Sequence, residues 1–167
     1  MAENFDPLNM MRALQSELKT YIQKGHGPFL AAIYNGQGEL IAKAANSVVQ
    51  DQCSHAHAEM NAIKLAQQKL KTYDLSPYNL SLVVTSEPCL MCLGGIMWSG
   101  IKALYYGVPS NKVEAITGFD EGFKPGWEEA FKQRGIAVDG HLAVAEGEAV
   151  LKEYVQQGHP IYSPQRN

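Results

Sequence analysis

Four side chains set out the chemistry open to this sequence: His57 and Glu59 in His57-Ala58-Glu59, and Cys89 and Cys92 in Pro88-Cys89-Leu90-Met91-Cys92. One imidazole and two thiolates are a soft, three-ligand set that suits zinc, and the two sulfur charges neutralise the ion. A fourth position left to water makes such a centre catalytic rather than structural, because water bound there is hydroxide near neutral pH. Glu59, two residues past the imidazole, is then the candidate to take the water's proton and deliver it to a substrate. A Cys-x-x-Cys pair alone also fits a redox couple or half of a structural zinc site. Cys53 and His55 are near enough in sequence to supply a fourth ligand and close the site; otherwise Cys53 is a small buried hydrophobe.

For these residues to meet, the elements carrying them must start at the same end of a sheet. Apolar residues at helical spacing predict a helix over 8–24 ending at Gly25, and short apolar runs over 29–34 and 39–45, joined by Asn35-Gly36-Gln37-Gly38, predict a β-hairpin. Residues 57–71 are rich in helix formers without Gly or Pro, 80–85 read as a buried strand, and Pro88 opens a helix reaching about Ser99. A strand over 102–108, short helices over 111–116 and 127–134, a strand over 136–142 and a helix over 146–157 follow. This pattern predicts one three-layer α/β/α domain over 1–167, with a central sheet of about five strands. Right-handed crossovers then lay the helices beginning at His57 and Cys89 side by side and parallel, with their first turns together. Helix N-termini favour thiolate over thiol, which suits Cys89 and Cys92 as ligands.

Composition excludes several alternatives. Three cysteines cannot form a disulfide framework, and the N-terminal stretch lacks the basic-then-apolar pattern of a secretory leader, so a reducing, cytoplasmic setting is expected. No run of apolar residues is long enough to span a membrane. A net charge of −3, a pI near 5.9 and fourteen scattered Lys and Arg give no footprint for nucleic acid, so a small molecule is the expected partner.

His57-Ala58-Glu59 followed by Pro88-Cys89-Leu90-Met91-Cys92 resembles the H-x-E and P-C-x-x-C signature of zinc-dependent base deaminases. The likeness covers about residues 25–125, and within that superfamily of cytidine and deoxycytidylate deaminase-like hydrolases the chain looks most like guanine deaminases. Gly27-Pro28-Phe29, Asn46, the stretch from Glu87 to Gly100 and Gly118-Phe119-Asp120-Glu121-Gly122 carry that closer likeness. The resemblance implies one zinc per chain on His57, Cys89 and Cys92, and Glu59 as proton shuttle on the metal water. It implies substrate contacts at Phe29, Asn46, Ala58, Trp98 and Asp120, and a second catalytic carboxylate, Glu121, that reads the purine's N–H groups and assists the departing amine. It also implies a homodimer, and a C-terminal tail over 155–167 whose Tyr162 folds across the mouth of its own or a neighbouring site. The tail, ending Ile161-Tyr162-Ser163-Pro164 and three further residues, departs from the family pattern.

Plain alternatives stand beside these roles. Trp98 suits a core position, Asn46 a turn, Asp120 and Glu121 a solvated loop and Tyr162 simple packing, while His26, His141 and His159 read as surface or loop residues. The expected reaction is hydrolysis of guanine to xanthine and ammonia. The same motifs would serve a tRNA adenosine or nucleoside deaminase, or one acting on cytosine or an aminotriazine. A zinc-stabilised binding module without turnover would need four protein ligands and no Glu59.

Overall fold

Asp6 starts the first helix: its carboxylate accepts the Asn9 amide at 3.1 Å and Pro7 occupies the first turn, so α1 runs Pro7–Gln23. The computed structural model describes residues 4–164. The hairpin follows as β1 (Leu30–Tyr34) and β2 (Leu40–Ala45), with the Asn35 side-chain oxygen accepting the amides of Gln37 and Glu39 across the turn. A single turn, α2 (Val48–Asp51), precedes α3 (Ala58–Leu70). Then come β3 (Ser81–Ser86), α4 (Leu90–Ser99), β4 (Ala103–Val108), α5 (Ser110–Thr117), α6 (Trp127–Gln133), β5 (Ala137–Asp139) and α7 (Val144–Gln156).

The described strands form one five-stranded sheet in the order β2-β1-β3-β4-β5. The hairpin side is antiparallel, while β3, β4 and β5 run parallel. Alternation along the central strands sorts side chains to two faces. Ala31, Ile33, Leu82 and Val84 pack under α3, α4 and α6 with Ala62, Ile96 and Phe131, whereas Leu30, Ala32 and Val83 meet α1 and α7 through Leu14, Leu18 and Val150. The expected α/β/α layering is therefore present.

Three departures from the sequence reading have local causes. The last strand ends at Asp139 rather than near residue 142, because His141 and Ala143 adopt φ of 62° and 50° and turn the chain into α7. The helix opened by Pro88 begins at Leu90, with Cys89 as its extended N-cap residue. The α2 turn and a 3-10 turn at Ser76–Tyr78 are too short to leave a hydrophobic period. The tail expected from residue 155 starts later, since α7 continues to Gln156; residues 165–167 of that tail lie outside the described residues.

A candidate metal centre and the cavity above it

His57 and Cys89 are the N-cap residues of α3 and α4, and Cys92 lies one turn into α4. The crossover from β3 brings these two helix starts together, and the His57 Nδ1 sits 3.4 Å from the Cys89 Sγ and 3.5 Å from the Cys92 Sγ. Metal bonds of about 2.0–2.3 Å in a tetrahedron imply ligand separations of about 3.3–3.8 Å, so the donor set fits zinc in both chemistry and spacing. Among the described residues these three form the one cluster of candidate ligands. Cys53 and His55 do not join it. Their side chains contact each other instead, at 3.3 Å, in the loop before α3, and Cys53 is only half-buried.

Electrostatics agree with a cation at this point. The two sulfurs hold one proton between them: the hydrogen bond from Cys92 takes Cys89 down to about 4, with His57 assisting, while Cys92 is pushed well above an ordinary thiol by that same bond and by burial. A divalent ion that takes both sulfurs as thiolates displaces that proton. Burial alone lowers the His57 imidazole, but the Cys89 sulfur and the charges of Glu59 and Cys89 leave it raised.

Two carboxyls face the centre. Glu59 is buried in the first turn of α3, its Oε2 3.5 Å from the Cys92 Sγ, and burial together with the Cys89 charge pushes it up to about 7. A carboxyl poised near neutrality can both take and return a proton. Glu121 is also buried, and burial with the Cys89 charge pushes it up to about 9 against the opposing charge of Lys124. Its backbone is held on both sides, the amide donating to the Glu114 carboxylate at 3.0 Å and the carbonyl accepting the Leu90 amide at 3.0 Å. Next to it Gly122 adopts a φ of +81°, and a Cβ there would lie 2.8 Å from the Leu90 Cβ, so only glycine lets this segment lie on α4.

These groups line one cavity of about 410 Å³, which also takes in Phe29, Asn46, Asp120 and Tyr162. Asn46 is both turn and site: its Oδ1 accepts the Val48 amide at 3.2 Å, opening α2, while its Nδ2 is buried without a partner. The Tyr162 hydroxyl is likewise buried and unpartnered. Both groups are aimed into the cavity, where water or a polar ligand can satisfy them. Asp120 is exposed at the rim, its Oδ1 accepting the Gly122 amide at 2.9 Å.

The side chains of two residues expected to contact the substrate do not line this cavity. Trp98 is 84% exposed on α4 and does not line it, because its position in the helix turns it away from the sheet. Ala58 is fully buried, and its methyl group packs into the core between the two lining residues His57 and Glu59.

Other residues escaped the sequence reading. Phe119, inside the Gly118–Gly122 motif, sets its ring edge-on to Phe29 at 5.4 Å and tilted against Tyr162 at 4.6 Å. Asn61 on α3 donates to the Ala45 carbonyl at 3.1 Å and the Ser47 hydroxyl at 2.9 Å, tying down the loop between Asn46 and His57. His26, read as a surface residue, contacts the Asn46 carbonyl at 2.9 Å. Each depends on long-range pairing, and only Phe119 left a signal, through its motif.

A three-ligand centre with an adjacent buried carboxyl on this mixed sheet defines a zinc-dependent hydrolytic deaminase. Residues 4–108 match the family described as the cytidine and deoxycytidylate deaminase zinc-binding region, and the chain belongs to that family. It is similar to the guanine deaminase of Bacillus subtilis, 35% identical over 123 residues that span 70% of this chain and 76% of that one. The structure of guanine deaminase from Nitrosomonas europaea is 41% identical and superposes with a TM-score of 0.86, over 89% of this chain and 84% of the other. A protein designated NE0047, solved in complex with 2,6-diaminopurine, is 40% identical over 98% of this chain and 87% of its own, with a TM-score of 0.89. A tRNA-specific adenosine deaminase of Bacillus subtilis matches a shorter stretch, 38% identical over 102 residues, 61% of either chain. No helix of the described residues is long and apolar enough to cross a membrane.

Proposed function

We propose that this protein hydrolyses guanine to xanthine and ammonia. The observation that carries the proposal is a single cavity in which a His-Cys-Cys centre and two buried carboxyls, Glu59 and Glu121, face the orphaned Asn46 amide and Tyr162 hydroxyl. His57, Cys89 and Cys92 would hold zinc, which would supply a water made nucleophilic near neutral pH. Glu59 would take a proton from the water that adds to C2 of the base and would return it to the adjacent ring nitrogen. Glu121, held protonated by burial, hydrogen-bonds the purine edge and would give its proton to the amino group, which leaves as ammonia while the new C2 hydroxyl becomes the carbonyl and its proton restores the Glu121 carboxyl. The Asn46 Nδ2 donates to a ring acceptor, and the Phe29 and Phe119 rings wall the base. Asp120 holds the rim beside Glu121. Ala58, whose side chain is in the core, serves through its backbone.

A neutral base suits the cavity better than a nucleic acid. Among the described residues, no lysine or arginine lines it, and phosphate recognition needs such cations. The guanine deaminases of Bacillus subtilis and Nitrosomonas europaea support the same substrate. Incubation of the purified zinc protein with guanine, guanosine, adenine and tRNA, with ammonia and xanthine measured, tests the assignment. Guanine is expected to be the preferred substrate, and release of ammonia only from tRNA or adenine overturns it.

The tail acts as a lid in this reading. The Tyr154 hydroxyl donates to the Pro160 carbonyl at 2.5 Å and turns the chain back, so that the Tyr162 ring leans against Phe119 and Ser163 lies 3.5 Å from the Asp120 amide. We further infer one zinc per chain, one domain, a cytoplasmic setting consistent with three free cysteines, and a homodimer. The dimer is supported by α4, where exposed Leu90, Met91, Met97 and Trp98 recur on one helical face. In that arrangement Trp98 meets a neighbouring subunit rather than its own cavity.

A further inference from the structure

The segment 118–126 that carries Glu121 has no regular secondary structure, so no helix or sheet ladder holds the carboxyl in place. Its position depends on the few bonds the segment makes with its neighbours. One is the Glu121 carbonyl, which accepts the Leu90 amide at 3.0 Å. Another is the Glu121 amide, which donates to the Glu114 carboxylate at 3.0 Å, and a third anchor is Lys124. Its side chain is 8% exposed, and its ammonium meets three acceptors: the Pro88 carbonyl at 2.5 Å, the Ser110 hydroxyl at 2.6 Å and the Glu87 Oε2 at 2.5 Å. An ammonium has three protons, so every donor is used and none is left for a substrate. Glu87 is equally committed, since its other oxygen accepts the Ser110 amide at 3.3 Å.

The anchors at Pro88 and Leu90 bracket a candidate metal ligand. Pro88 precedes Cys89 and Leu90 follows it, so the segment is fastened to the chain on both flanks of that sulfur. We propose that Lys124 is a positioning residue for the reaction, holding Glu121 at a set distance from the Cys89 ligand and hence from the reacting base. The role rests on the deamination proposed above, and it deepens that reading by explaining how an irregular segment presents a carboxyl accurately. Misplacement of a catalytic group by about 1 Å can cost 10²-fold in rate, which is the scale at stake. A compact ammonium reaches three acceptors spread in space, as a planar guanidinium does not.

Lys124→Met separates this role from general stability. Amide hydrogen exchange in the zinc protein is expected to speed up about tenfold or more at Leu90 and Glu121, while Val83 and Val84 in β3 keep their rates. Acceleration of all slow amides together, or of none, overturns the proposal. Kinetically, Lys124→Met should lower kcat by about 10- to 100-fold with KM within about threefold and zinc content unchanged. In a Glu121→Gln background the same change should cost less than about twofold, because its effect runs through the missing carboxyl. Additive losses overturn the proposal. Ser110→Ala removes one acceptor without stranding Glu87, so it serves if Lys124→Met does not fold; about threefold faster exchange at the same two amides is expected, and no change there overturns the role. If the wild-type protein releases no ammonia from guanine, the substrate reading fails, while the exchange measurement still decides whether Lys124 holds the segment.

Discussion

Gly27 lies directly against the Tyr162 hydroxyl: a Cβ at position 27 would be 2.2 Å from the Oη and 2.8 Å from the Asn46 Oδ1. The tail tyrosine therefore occupies space that only a glycine leaves open. Gly27→Ala should displace the ring, and overpacking of this size costs about 1–3 kcal/mol. A fall in kcat/KM for guanine of about 5- to 100-fold, with little change in far-UV circular dichroism, is the expected result. Unchanged kinetics would place Tyr162 outside the working site.

Tyr162→Phe tests the same group in the opposite sense. The hydroxyl is buried without a partner, so removing it should leave the free protein as stable as before or more so, by about 1 kcal/mol. Guanine binding should nevertheless weaken, because the bound base loses a hydrogen bond. A destabilised variant with normal affinity would contradict both halves.

Glu59→Gln keeps the shape of the side chain and removes its proton-carrying function. Turnover should drop by about 10²- to 10⁴-fold while zinc content, measured by atomic emission, stays at the wild-type value. Residual activity near the wild-type rate would assign the proton transfer to another group.

Glu121 makes stability depend on pH in a definite direction. Its carboxyl is pushed up to about 9 in the folded chain, above the unfolded value of about 4.3. The unfolded chain loses that proton first as pH rises, so the stabilisation present below about pH 4.3 is progressively lost toward pH 9. Urea denaturation at pH 5 and pH 8.5 should show the wild type losing more than about 1 kcal/mol relative to Glu121→Gln. A difference independent of pH would mean that the carboxyl is ionised in the folded protein.

Trp98→Glu addresses the outward face of α4. A charge at a residue that is 84% exposed should leave the fold intact, but it should convert a dimer to monomer in sedimentation velocity. A variant that sediments as the wild type does would remove α4 from any subunit contact.

The clustering of His57, Cys89 and Cys92 beside Glu59 was legible in the sequence because their geometry is nearly local. His57 and Glu59 are fixed to each other by one helix start, Cys89 and Cys92 by another, and a parallel crossover brings two such starts together. The unbroken apolar runs that hold Leu30 to Ile33 and Leu82 to Val84 likewise pointed to a sheet covered on both faces, Ala31, Ile33, Leu82 and Val84 packing to one side and Leu30, Ala32 and Val83 to the other. Trp98 was not decided this way: helical phase allows a large apolar residue to face core, pocket or partner, and only packing turned it to solvent. The burial that shifts Glu121, the orphaned Tyr162 hydroxyl and the Lys124 clamp on Glu87 and Pro88 join segments distant in the chain. Their chemistry comes from solvent exclusion and from partners that the sequence alone does not pair, so it exists only once the sheet, the helices and the tail have closed around one cavity.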